Sequence, residues 1–257
     1  MGSEHYFFGD SYRGIILINV IDTMIVLLLC FALSGVRAMV EWNYTVEEAI
    51  AIQKAMAGKV ITRGKPDTVE YIAGIDVALT PDGRGYCIIA VFTFPQLRLC
   101  EEVFSSDTIT FPYVPGLLSF REGPLVLQAY DKLSIKPDIL VFDGQGIAHP
   151  RRFGIASHIG VLLDIPSIGC AKSRLWGTYS QPGNNKGDRA YLYDKDEIIG
   201  VVLRTRTNVN PVFVSPGHRV GIDEAADIII QCTDNYRIPV PTRYAHCRVG
   251  AYKRQCR

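Results

Sequence analysis

The stretch ILVFDGQGIAHPRRFGIASHIGVLLDIPSIGCA, residues 139–171, decides the fold. Its first four residues are a short, fully apolar run that reads as a buried strand, and a glycine-rich loop follows at Asp143-Gly-Gln-Gly146. Residues 153–164 then read as a helix and 166–171 as a second apolar strand. Strand, helix and strand over so short a length make a βαβ unit, which requires the two strands to run parallel.

Upstream of this unit the pattern is antiparallel. Tyr71–Thr80 and Tyr86–Phe94 are apolar, β-branched runs joined by Pro81-Asp-Gly-Arg-Gly85, a strong hairpin signal, and 97–104 reads as a third strand. Thr45-Val-Glu-Glu48 has the spacing of a capping box, and apolar residues follow at helical intervals to about 58. Residues 119–133 read as a helix whose Pro124 lies near its start. Beyond the central unit, 198–203 and 212–214 are further strands, and 222–232 and 243–253 closing helices. Three antiparallel strands leading into parallel βαβ units, with helices on both faces, predict an α/β protein with an RNase H-like mixed sheet.

The bulk figures agree with a globular chain but not with a polycation. Of 257 residues 48% are apolar and 21% charged, and 27 basic against 26 acidic residues leave a net charge of +1. That excludes a global electrostatic attraction to nucleic acid, so any such surface is local. One local candidate is the run containing Arg237, Arg243, Arg248, Lys253, Arg254 and Arg257; a solvated helix face explains it as well. The seven cysteines are scattered, odd in number and without a CxxC pair, which fits neither a disulfide scaffold nor a zinc site and points to reduced thiols in the cytoplasm. Cys87 and Cys170 read as small core residues.

No internal repeat or linker interrupts the chain after Met39, so residues 39–257 read as one catalytic domain and 1–38 as a hydrophobic N-terminal extension. Gly14–Val36 is long enough to cross a bilayer, although Asn19 and Asp22 interrupt it. Three readings stand: an upstream extension of a frame whose working start is Met39, a membrane anchor through 14–36, and a signal peptide cleaved after small residues at Val36 and Ala38.

The chemistry concentrates in acids at strand ends. Asp76 lies inside the run Tyr-Ile-Ala-Gly-Ile-Asp-Val, where a carboxylate is costly unless paired or metal-bound. Asp143 closes the apolar strand 139–142, at the carboxyl edge where open α/β sheets carry their sites. Glu122 stands near a helix start. Each has an ordinary alternative, as turn starter, N-cap or dipole-compensating acid. Three acids from separate elements would nevertheless form an oxygen donor set for Mg²⁺, the usual apparatus for phosphodiester hydrolysis. His218, in Val-Ser-Pro-Gly-His-Arg, reads as a loop histidine able to bind metal or shuttle a proton, or else to cap. His149 needs weighing on the same grounds, whereas His158 reads as a helix-packing residue. Two prolines bracket an aromatic ring in Phe111-Pro-Tyr-Val-Pro115, giving a stiff loop able to wedge into a base stack or simply to turn. Asp143-Gly-Gln-Gly146 would let backbone approach a flipped base.

Taken together, the strings Gly-Ile-Asp76-Val, Phe-Pro-Tyr113-Val-Pro-Gly-Leu-Leu-Ser-Phe-Arg-Glu122, Asp143-Gly-Gln-Gly-Ile-Ala-His149-Pro-Arg-Arg-Phe-Gly, Ala171-Lys172 and Ser-Pro-Gly-His218-Arg resemble the endonuclease V family over about residues 41–232. The resemblance implies a Mg²⁺-dependent endonuclease, with Mn²⁺ able to substitute, that recognises deoxyinosine and other deaminated bases in DNA. It would hydrolyse the second phosphodiester bond 3′ to the lesion and leave the lesion on the nicked strand. It further implies that Asp76, Asp143 and Glu122 bind metal and that His218 completes the catalytic group. Pro112, Tyr113, Val114 and Pro115 would form the DNA wedge, Leu118, Gly144 and Gly146 would line the lesion pocket, and Lys172 would contact DNA. A monomer is expected, with membrane association only through residues 14–36. Two alternatives remain at this point: an inosine-specific ribonuclease on the same fold, and a membrane-anchored module that binds nucleic acid without cutting it.

Overall fold

Small and branched apolar residues fill Tyr71–Leu79 (β1) and Arg84–Thr93 (β2), and both strands are buried through their middles. They pair antiparallel from Tyr71↔Thr93 to Leu79↔Gly85 across a turn in which Gly83 adopts φ +85°. Leu99–Thr108 (β3) pairs antiparallel with β2, with a bulge at Val91/Phe92. The computed structural model describes residues 42–64, 66 and 68–255. The extension 1–38, with its apolar segment 14–36, lies outside the described residues, as does Arg257.

Leu118–Asp131 (α2) carries the chain over to Ile139–Phe142 (β4), which lies parallel to β1 in the register Ile72↔Ile139 to Ile75↔Phe142. An earlier helix, Val46–Ala57 (α1), starts at the expected capping box: Thr45 Oγ1 accepts from Glu48 N (3.2 Å) and the Glu48 carboxylate accepts from Thr45 N (2.8 Å). Ile155–Leu163 (α3) then crosses to Ser167–Ala171 (β5), parallel to β4, completing the βαβ unit. Three more strands extend the sheet: Arg189–Asp194 (β6), Glu197–Leu203 (β7) and Val212–His218 (β8). Two helices close the chain, Ile222–Gln231 (α4) and Val240–Gln255 (α5). The eight-stranded sheet has the order β3-β2-β1-β4-β5-β8-β7-β6, with β1, β4 and β5 parallel and the rest antiparallel to their neighbours. From Asn43 onward the chain forms one compact unit. Among the described residues no helix is long and apolar enough to cross a membrane.

The period of two along each strand divides the core into two layers. Ile72, Ile88, Ala90, Ile139, Val141 and Ile168 pack on one face with Ala225, Ile229, Ala245 and Val249 of α4 and α5. Ala73, Ile75, Ile89, Val91, Leu140 and Phe142 pack on the other with Leu125, Val126, Ile155 and Ile159 of α2 and α3. Cys87 and Cys170 are fully buried free thiols in these layers. The parity also assigns the polar residues: Asp76 shares its face with Ile72 and Gly74, and so looks toward α5.

Candidate active site

Asp76 and Asp143 meet at the carboxyl ends of the adjacent strands β1 and β4. The Asp143 N–H continues the ladder by donating to Ile75 O at 3.4 Å. One residue past Ile75, the Asp76 side chain is only 12% exposed, and His246 of α5 bonds its carboxylate through Nδ1 at 2.8 Å. Ligand atoms of Asp76, Asp143 and His246 all lie within 4.8 Å of one another. The Lys172 ammonium pairs with Asp143.

Burial, followed by the charge of Asp143, raises the Asp76 pKa, while His246 and Lys172 pull it down. Glu122, half-buried on α2, lies outside the tight trio but feels it. Burial and the negative charge of Asp76 push its carboxyl up to about 8; Arg121 opposes the rise and Asp143 adds to it. Burial and neighbouring negative charge thus raise the pKa of both Asp76 and Glu122, the mark of an under-neutralised corner, and oxygen donors beside one imidazole suit a divalent cation.

Two expectations need correction. His218 is not in this group. β8 continues through Pro216 to His218, which pairs with Ser167 at the start of β5, so the histidine sits at the opposite end of the parallel strands from Asp143. It is 3% exposed; its Nδ1 accepts from Ile61 N (3.3 Å) and its Nε2 faces Asp164 (3.1 Å), fastening the chain before β1 to the sheet. The histidine that does reach the acids, His246, comes from a segment outside the strings that carry the resemblance and reads in sequence as a basic helix face. Gly146, the second expectation, packs behind the cleft rather than in its wall. A Cβ there would come 1.9 Å from Pro216 O, and its N–H donates to Ser215 Oγ at 2.9 Å.

Tertiary docking brings His246 in. α5 crosses β1 directly over Gly74, where a Cβ would lie 2.1 Å from the Pro241 carbonyl carbon and 2.5 Å from Thr242 N. Its rotation is fixed on the far side, where Glu102 of β3 accepts from Arg248 Nε (2.9 Å) and Tyr244 Oη (2.8 Å). With residues 244 and 248 held, 246 faces the sheet's carboxyl edge.

On the other side of Asp143 opens a cleft of about 370 Å³, lined among others by Tyr113, Val114, Pro115, Leu118, Gly144, Gln145 and Lys172. Tyr113 stands 72% exposed at its rim, its ring 6.0 Å from the Arg121 guanidinium. The loop that presents it is anchored at Gly116, which has φ +81° and a carbonyl that accepts from three side chains. Gln53 Nε2 of α1, His149 Nε2 and Arg151 Nη2 each donate to it at 2.9 Å. Gln53, 1% exposed, also donates to Phe153 O (2.9 Å) and accepts from Arg151 Nε. His149 is neutral, since burial drops its pKa to about 4, and Nδ1 accepts from Arg151 N (3.1 Å), so Nε2 carries the proton. Neither Gln53 nor Arg151 is conspicuous in sequence. His158 is a packing residue, bonded to Ser119 Oγ at 2.9 Å and set between the tilted rings of Phe120 and Phe153. A second, open groove of about 630 Å³ shares Asp143 and runs past Asp76, His246 and Gly250 to Lys253 and Arg254.

A family model described as Endonuclease V matches residues 54–247, a span that includes His246. The chain is 47% identical over 212 residues to the Endonuclease V of Kosmotoga olearia, covering 82% of this chain and 93% of that one. The crystal structure of the Streptomyces avermitilis Endonuclease V superposes with a TM-score of 0.79 at 41% identity, covering 84% of this chain and 96% of that one. A Ciona intestinalis Endonuclease V, solved with a 23mer DNA containing an inosine followed by a ribo-adenosine, gives a TM-score of 0.73 at 25% identity, covering 83% of this chain and 100% of that one.

Proposed function

The chain belongs to the endonuclease V family, and we propose that it is a Mg²⁺-dependent DNA endonuclease acting on deaminated bases, chiefly deoxyinosine. It hydrolyses the second phosphodiester bond 3′ to the lesion and leaves the lesion on the nicked strand. The observation that carries this reading is the sharing of Asp143 between an acid-histidine cluster and a cleft rimmed by a stiff, exposed tyrosine loop. The inosine in the DNA bound by the Ciona relative supports taking that cleft as the lesion pocket.

In this reading Tyr113, held between Pro112 and Pro115 beside Val114, enters the base stack and fills the gap left by the flipped nucleotide. The flipped base enters the cleft against Leu118 and Gly144, where backbone groups read its edge. Deamination converts the adenine N1 from acceptor to N–H donor and replaces the exocyclic amine by a carbonyl, so one set of fixed backbone groups separates the two bases. The three donors on Gly116 O keep the wedge preorganised. Lys172 supplies a cation next to Asp143 for the strand's phosphates. Asp76, Asp143 and His246 would hold the ion, Mg²⁺ or Mn²⁺ in its place, with Glu122 contributing negative charge behind them. When bound, such an ion supplies Lewis-acid activation of water and neutralises charge developing on the phosphate. Residues 39–257 act as the catalytic unit, as a cytoplasmic monomer, a setting to which the free thiols Cys87, Cys170 and Cys232 are suited.

The test is a nicking assay on duplexes carrying inosine, uracil, an abasic site or no lesion, with Mg²⁺ present or chelated, alongside matched RNA. Metal-dependent nicking of inosine DNA two bonds 3′ to the lesion is the expected result. Cleavage insensitive to chelation, or of unmodified DNA equally, refutes the proposal, and preference for the RNA transfers it to inosine in RNA.

A further inference from the structure

The basic run noted in the sequence is largely spent on the protein itself. Arg237 donates to the Lys172 and Pro211 carbonyls, Arg243 pairs with Asp234 at 2.6 Å, and Arg248 pairs with Glu102. Lys253 and Arg254 are different: among the described residues neither makes an ion pair, and both line the open groove that begins at Asp76, Asp143 and His246. Gly250 forms part of the groove wall. A Cβ there would meet only Arg254 Nη1, at 3.7 Å, so the guanidinium lies across this gap in the helix surface, along the groove rather than away from it. The groove and the lesion cleft lie on either side of Asp143, which lines both.

We propose that this groove holds the nucleic-acid strand 3′ of the cut, its backbone phosphates bound by Lys253 and Arg254, so that the substrate runs 5′ to 3′ from the Tyr113 cleft across Asp143 and along α5. The polarity rests on the reading above, in which the base is held in the cleft and the bond broken lies 3′ to it. A strand entering at the cleft and cut at the acids has its 3′ continuation on the far side of Asp143, where the open, cation-lined channel is. Phosphate neutralisation by two cations is sequence-independent and salt-sensitive. The rival role for these residues is compensation of the α5 dipole at its last turn, which would act on stability and not on binding.

Binding is read by fluorescence anisotropy with inosine-containing and unmodified duplexes, with Ca²⁺ in place of Mg²⁺, across a salt series. The double variant Lys253→Gln/Arg254→Gln should bind inosine DNA with a log–log salt slope shallower by about 1–2. Trimming the labelled strand 3′ of the cut should weaken wild-type binding roughly tenfold and the variant less than about twofold, while trimming 5′ of the lesion should affect both alike. Gly250→Leu, which narrows the groove while favouring the helix, should keep or raise the melting temperature yet reduce the sensitivity to 3′ trimming. Equal losses in wild type and variants on 3′ trimming, or a lowered melting temperature with an unchanged salt slope, overturn the groove assignment. A wild-type protein that binds inosine and unmodified DNA equally refutes the functional reading itself, and the polarity with it.

Discussion

A single methyl group at residue 74 should disable the site from a position that no substrate touches. In Gly74→Ala the new Cβ would lie 2.1 Å from the Pro241 carbonyl carbon and 2.2 Å from its oxygen, both backbone atoms with no rotamer to escape into. Carbon atoms settle at about 3.5 Å or more, so α5 must retreat from β1 by roughly 1.4 Å. His246 sits little more than one turn further along the same helix. A rigid retreat stretches its 2.8 Å bond to Asp76 to about 4 Å, beyond hydrogen-bonding range. Overpacking of this kind costs about 1–3 kcal/mol, and Ala245 and Val249 lose part of their contact with the sheet as well. Thermal melts should therefore show lower stability, and Mn²⁺ titration followed by the melting shift should show affinity down roughly tenfold or more, as for a displaced ligand. Gly58→Ala is the control, since nothing lies within 4 Å of a Cβ at residue 58 and it should melt as wild type does. A Gly74→Ala protein with wild-type stability and metal affinity would refute the view that close seating of α5 builds the site.

The two histidines should separate cleanly. His246→Ala should retain most stability, the side chain being 59% exposed, while losing metal affinity in the same titration; His218→Ala should melt earlier, by about 1–3 kcal/mol for a lost buried partner, with metal affinity kept. Tyr113→Ala should leave the melting temperature unchanged and weaken inosine-DNA binding roughly 5- to 100-fold, the range of one base–aromatic stack, with unmodified DNA less affected in anisotropy titrations. Between about pH 6.5 and 8 the metal-free protein should lose stability as pH rises. Glu122, with a folded pKa of about 8 against an ordinary 4.5, stays protonated in the native state and ionised in the unfolded one, so the native state binds more protons and the slope is negative. Allowing for its partial exposure, melts across that window should fall by about 1–2 kcal/mol and recover with added divalent ion. Below pH 6.5 buried neutral His149 and His158 reverse the trend, because their depressed pKa values make acid destabilising.

Legibility in the sequence followed locality. The hairpin, the βαβ unit and the two aspartates could be read because each lies in a continuous apolar run whose period or composition betrays a strand, and an acid ending such a run stands out. β6 carries little strand signal because this edge strand, Arg-Ala-Tyr-Leu-Tyr-Asp, buries only Leu192 fully. β8 reads as ending at 214 because Ser215-Pro-Gly217 looks like a loop, yet Pro216 and Gly217 sit in a fully buried strand where packing against α3 overrides local propensity. Read as a loop, that segment puts His218 near the acids, the place His246 takes in the structure. Nothing near His246 marks it as a ligand: its partner is 170 residues away, and the contacts that aim it, at Gly74 and Glu102, are as remote. The loop around Tyr113 is legible from its two prolines, whereas the Gln53 brace beneath it comes from a helix that precedes the first strand.

The seating of α5 has a consequence for how the protein is made. Synthesis delivers Asp76 of β1 170 residues before His246 of α5, so a nascent chain exposed only up to residue 239 has both aspartates but neither His246 beside them nor the α5 wall of the groove. Until α5 emerges, Ile72, Ile88 and Ala90, which it helps to cover, present an apolar sheet face to chaperones and to other chains. The acid–histidine cluster is therefore complete only once α5 has emerged, and a chain truncated before that helix should lack His246 and leave the sheet face over Ile72, Ile88 and Ala90 less covered.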